Sequence, residues 1–79
     1  MNNRFVESPV LAEKIYEKSA IVEAVNALAN ESNVNIRIIE KDLGWKLEVE
    51  NKNSKTRKIM HEILNLSLEK SLEIRLENL

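Results

Sequence analysis

Apolar residues recur at helical spacing through the last third of the chain, Ser54 to Leu79. Leu64, Leu68, Leu72 and Leu76 fall at steps of four, with Ile59, Ile63 and Leu66 beside them. Residues three and four apart are neighbours on a helix, so this spacing stacks apolar side chains on one face. The stretch holds neither proline nor glycine, and Ser54 is placed to cap it. A shorter helical period runs through KSAIVEAVNALAN, where Ala20, Ile21, Ala24, Val25, Leu28 and Ala29 recur. Half of these are alanines, which suits a helix lying close on a sheet. Ser19 is placed to cap this helix, and the polar break Asn30 to Asn33 ends it.

Between the helices the period changes to two. Val34, Ile36 and Ile38 alternate with Asn35, Arg37 and Ile39, and Trp45, Leu47 and Val49 alternate with Lys46, Glu48 and Glu50. The two runs predict an antiparallel hairpin with one apolar and one polar face. Lys41 to Gly44 supplies the turn, with Gly44 free to take positive φ. A weaker alternation between Arg4 and Lys14 predicts one further strand. Pro9 lies inside it and cannot donate to a ladder, so this strand is expected at an edge or with a bulge. Met1 to Asn3 is expected to be disordered.

The expected fold is therefore α+β, in the order β-α-β-β-α. A three-stranded, antiparallel-containing sheet carries two helices on one face, and the C-terminal helix is long. The whole chain, residues 1–79, forms one domain. The last helix, at about 24 residues, spans about 36 Å. Strands of about six residues reach only about 20 Å. The helix should overhang the sheet, leaving Leu68, Leu72, Ile74, Leu76 and Leu79 with little of their own domain to pack on. Such an end either frays in water or meets a partner or a second copy of the chain.

Charge sharpens this picture. Lys55, Arg57 and Lys58 sit at the start of the long helix, where the dipole favours acids. Glu73 and Glu77 sit near its end, where it favours bases. Glu69, Glu73 and Glu77 also form a like-charge ladder at steps of four. These acids, the apolar residues just named, and Trp45 at the rim of the sheet are the candidate partner-binding residues. Trp45 also shares a face with Leu47 and Val49 and so is a candidate core residue.

Composition removes several functions. The 79 residues include no cysteine, which rules out disulfides and cysteine-ligated zinc or iron–sulfur centres in this chain and suits a reducing, cytoplasmic setting. There is one glycine, so no phosphate-binding glycine-rich loop exists. Twelve basic and 13 acidic residues give a formal net charge of −1, with no basic surplus to predict nucleic-acid binding. The apolar runs predict no secretory leader and no membrane span. His61 is the single histidine, and no second histidine stands four residues away to make a helical metal site. No serine has a predicted base and orienting acid, so no catalytic, cofactor or metal residue is expected, and the chain by itself is not expected to be an enzyme.

Three segments carry a family resemblance: IYEKSAIVEAVNAL, VNIRIIEKDLGWKLEVEN and IMHEILNLSLEKSLEIRLE. They resemble the small D-type accessory proteins of the His-Xaa-Ser repeat systems. The resemblance rests on Tyr16 before the first helix, Ala24 within it, the hairpin, and the run Ile63, Leu64, Asn65, and it covers roughly residues 15 to 77. It implies a non-catalytic companion to a radical-SAM enzyme that modifies a ribosomally made peptide. Related small partners accompany spliceases that excise a tyramine unit. It implies a radical-SAM maturase as partner and a precursor peptide as a possible second ligand. The chemistry would belong to the large enzyme, and no catalytic residue carries over. The small dimerising subunit of the KEOPS tRNA-modification complex is a second, poorer likeness, mismatched in strand order and basic surface. A plain homodimeric structural domain is a third reading.

Overall fold

The computed structural model of the chain describes residues 4–79; the expectation for Met1 to Asn3 lies outside them. The elements follow in the order β1 (Phe5–Glu7), β2 (Leu11–Ala12), α1 (Lys18–Ser32), β3 (Ile36–Lys41), β4 (Gly44–Glu50) and α2 (Thr56–Glu77). The fold is α+β with a long C-terminal helix, as the periodicity predicts. Among the described residues the sheet is antiparallel throughout and has four strands, not three. Every strand pairs with β4. Because β3 occupies one edge of β4 along Gly44 to Val49, β1 and β2 must share the other.

The single strand expected between Arg4 and Lys14 is thus broken in two, and the break is a bulge at Pro9. Glu7 stands opposite Glu48 and Leu11 opposite Trp45, so four steps on one strand face three on the other. One extra residue is accommodated there. Buried Ser8 repairs the ladder. Its N–H donates to the Leu47 carbonyl at 2.8 Å, and its Oγ accepts the Leu47 N–H at 2.8 Å while donating to the Pro9 carbonyl at 2.7 Å. A hydroxyl here does the work of the carbonyl that the bulge carries out of line.

Gly44 is needed for a different reason from the one expected. Its φ is not positive. A Cβ on it would lie 2.0 Å from the Leu11 carbonyl oxygen, a backbone atom that cannot move without displacing β2. The requirement is close approach of two strands at the hairpin end.

The helix ends also depart from expectation. Glu17, not Ser19, is the N-cap of α1, and it makes no side-chain cap. The helix continues through Asn30 and Glu31 to Ser32 and stops at Asn33, which takes a left-handed φ of 54° and bonds back to the Ala29 carbonyl. At the start of α2, Ser54 does not cap. The Asn53 Oδ1 accepts the Lys55 N–H at 2.8 Å, and the buried Thr56 Oγ1 accepts the N–H groups of Lys52 and Asn53 at 3.3 and 3.4 Å.

The core lies between one face of the sheet and both helices. It gathers Leu11, Ile21, Ala24, Val25, Leu28, Val34, Leu47, Val49, Met60 and Ile63, with Val6, Tyr16, Ile36, Ile38 and Trp45 packed against it. The other sheet face is polar. Lys46 pairs with Glu7 and Arg37 with Glu48, and the Arg37 guanidinium lies 3.9 Å from the centroid of the Phe5 ring. The side-chain hydrogen bond and charge of Lys46 hold the Glu7 carboxyl below its ordinary value.

Candidate functional site

The C-terminal helix has 22 residues and so spans about 33 Å, in a molecule whose principal extents are 45 × 27 × 14 Å. It is the longest element, and its packed face is not the leucine row. The buried positions are Thr56, Met60, Ile63, Ser67 and Ser71. Their steps mix three with four and so stay on one side of the helix. A strict row of fours does not, since each step turns about 40° beyond a full turn at 3.6 residues per turn. The row that begins at Leu64, packed against the core, is therefore rotated by about 120° when it reaches Leu76. The exposures follow this winding. Leu64 and Leu68 are half-buried, while Leu72, Leu76 and Leu79 are 52, 68 and 100% exposed.

Small residues on the packed face let the two helices lie close. Ala20 and Ala24 on α1 and Ser67 and Ser71 on α2 are all fully buried, and α1 and α2 form an extensive contact. The two run antiparallel, since Lys70 meets Glu23 at 3.9 Å while Arg75 meets Glu17 at 3.2 Å.

The expectation that the last turns lack support is corrected on this side. The Ser71 Oγ accepts the Glu17 N–H at 2.8 Å, an otherwise orphaned donor at the start of α1. The Arg75 guanidinium binds the Glu17 carboxylate and the carbonyls of Glu13 and Lys14. Arg75 is also a base in the last turn, where the helix dipole favours one. One side of the helix end is thus clamped to the connection between β2 and α1, and only the other side is open.

The candidate partner-binding residues divide accordingly. Leu68, Leu72 and Leu76 remain together on the open side, and fully exposed Leu79 follows just past the helix end. Glu69, Glu73 and Glu77 are exposed beside them, with no salt bridge or side-chain hydrogen bond among the described residues. Ile74 does not join this group; it is half-buried and extends the row of Ser67 and Ser71, because it is seven residues, or about two turns, beyond Ser67. Trp45 does not join it either. It is half-buried against the core, on the sheet face that the helices cover. Sequence reasoning missed Arg75 and Ser71, whose partners lie 54 to 62 residues away in the chain.

His61 is exposed, at the rim of a shallow depression with Glu7, Ser8, Pro9 and Arg57. Among the described residues no three His, Asp or Glu side chains converge as metal ligands would. No helix among them is long and apolar enough to cross a membrane. Compared with protein-family models, with curated proteins and with solved structures, the chain finds no match in any of the three.

Proposed function

We propose that this chain is a non-catalytic partner subunit that docks on another protein through the open side of α2. The observation that carries the reading is the apolar stripe Leu68, Leu72 and Leu76, followed by exposed Leu79 just past the helix end, on a helix whose opposite side is anchored. Exposed stripes of this kind, rimmed by charge, mark interaction surfaces. The favoured partner is a radical-SAM enzyme that modifies a ribosomally made peptide, and the support for that choice is the sequence resemblance over residues 15 to 77. The precursor peptide is the second ligand. The outer edge of β3 (Ile36–Lys41), which pairs only with β4 among the described residues, offers it an extended strand site.

The apolar stripe supplies part of the affinity. Burying the exposed portions of three leucines yields about 4–6 kcal/mol. Association costs about 4–15 kcal/mol. Polar complementarity must add to the leucines.

The test is to look for a radical-SAM gene among the neighbours of this one and to co-express its product with this chain, followed by size exclusion at micromolar concentration. A co-eluting complex is expected, and Leu72→Glu should abolish it while leaving the circular dichroism of the free chain unchanged. Separate elution of the two wild-type proteins refutes the reading.

A further inference from the structure

The stripe on α2 has a sign as well as a shape, and the sign narrows what covers it. Glu69 and Glu73 stand three residues before Leu72 and Leu76, so the acids border the leucines along one flank. The other basic groups of this half of the helix are already engaged, Lys70 with Glu23 and Arg75 with Glu17 and two carbonyls. The three carboxylates of Glu69, Glu73 and Glu77 face solvent without a counter-charge among the described residues.

A second copy of the chain fits this surface poorly. In an antiparallel pair that sets Leu68 against Leu72 of the copy, the same flank of each helix meets itself. Glu69 then faces Glu73 of the copy, and like charges in such an interface are unfavourable. In a parallel pair Lys55, Arg57 and Lys58 of both copies crowd at one end, with the helix dipoles aligned. The registers that set the exposed leucines against one another thus bring like charges together; an antiparallel pair slid toward the helix starts would bring Lys58 to Glu73 and Lys55 to Glu77, but it leaves Leu76 and Leu79 without an apolar partner.

We infer that the open side of α2 takes an amphipathic helix from a different protein, with an apolar stripe and lysine or arginine residues along the flank that meets Glu69, Glu73 and Glu77. Such a helix satisfies leucines and carboxylates in one register. The inference rests on the docking reading given above and adds the chemistry of the partner.

The probe is a synthetic helical peptide with leucines at steps of three and four and lysines along one flank, compared with the same peptide carrying glutamates in place of the lysines. Binding is measured by fluorescence anisotropy at low and high salt. The lysine peptide should bind more tightly by about tenfold or more, since three exposed charge pairs each contribute a factor of about two or more, and the preference should shrink as salt rises. The combined variant Glu69→Lys, Glu73→Lys, Glu77→Lys should reverse it, and Leu72→Ser with Leu76→Ser should lose both peptides.

Equal binding of the two peptides, binding of neither, or a stable dimer of the free chain in sedimentation overturns the inference. A radical-SAM complex that survives the triple charge reversal but not Leu72→Glu overturns this inference alone. Lysine-peptide selectivity without a radical-SAM complex overturns the proposed partner and leaves the charge reading in place.

Discussion

Ser67 and Ser71 offer a matched pair of perturbations. They occupy the same face of α2, one turn apart, and both are fully buried. Their hydroxyls differ in one respect. The Ser71 Oγ accepts the Glu17 N–H, while the Ser67 Oγ has no hydrogen-bond partner among the described residues. Replacing either by alanine removes one oxygen and raises helix propensity by about 0.5 kcal/mol. At Ser67 the change also removes a buried polar atom that gains nothing from folding. Ser67→Ala should therefore stabilise the fold by about 0.5–1.5 kcal/mol. At Ser71 the change orphans a donor at the first turn of α1. That costs about 1–3 kcal/mol for a fully buried group and nearer 1 here, because Glu17 is half-exposed. Net of propensity, Ser71→Ala should destabilise by about 0.5–1 kcal/mol. In a domain of this size each kcal/mol moves Tm by about 4–8 °C, so the two variants should differ by about 5–20 °C. Differential scanning calorimetry with urea titration measures this. Equal shifts of the same sign, or a larger loss at Ser67, would show that the serines act only as small spacers between the helices.

Other outcomes follow from single contacts. Ser8→Ala leaves the buried Leu47 N–H without an acceptor at the bulge and should lower stability by about 1–3 kcal/mol in urea denaturation; a change below about 0.5 would mean that the bulge relaxes around the loss. Gly44→Ala sets a methyl group against the Leu11 carbonyl and should release β2, read as faster amide exchange at Glu13, whose N–H bonds the Leu43 carbonyl, while the β3 ladder stays protected; uniform protection would contradict it. The Glu7 carboxyl should titrate by NMR below an ordinary glutamate, and Lys46→Met should raise it again. A carboxylate held low in the folded state adds stability above its unfolded pKa that is lost as pH falls through the folded one, so the wild type should lose stability faster than Lys46→Met on acidification.

The two helices, the hairpin, and the interruption at Pro9 were legible because each has a local signature. A period of 3.6 or 2, or a missing N–H, depends on a few neighbouring residues. The caps were not. Ser19 and Ser54 are suitable residue types one or two positions away from the true N-caps, Glu17 and Lys55, neither of which caps through its side chain; the Glu17 N–H instead finds the distant Ser71 Oγ, and the Lys55 N–H the nearby Asn53 Oδ1. Gly44 was marked as special but for the wrong cause, since a close strand neighbour leaves no trace in the residues around it.

The C-terminal helix shows the same division. The sequence by itself determined that residues beyond Ser54 form a helix with more leucine than the sheet can cover, and with acids gathered at its end. It did not determine which side of that helix is buried. A row of fours and a row mixing threes and fours both stack on a helix, but only the second stays beside a straight neighbour. The alanines of α1 selected the row with Ser67 and Ser71, because two helix backbones approach closely only where side chains are small. That choice turned Leu72, Leu76 and Leu79 outward and brought Arg75 within reach of Glu17. Which residues are core and which are free to bind was decided between helices, at separations of more than fifty residues, where no local pattern extends.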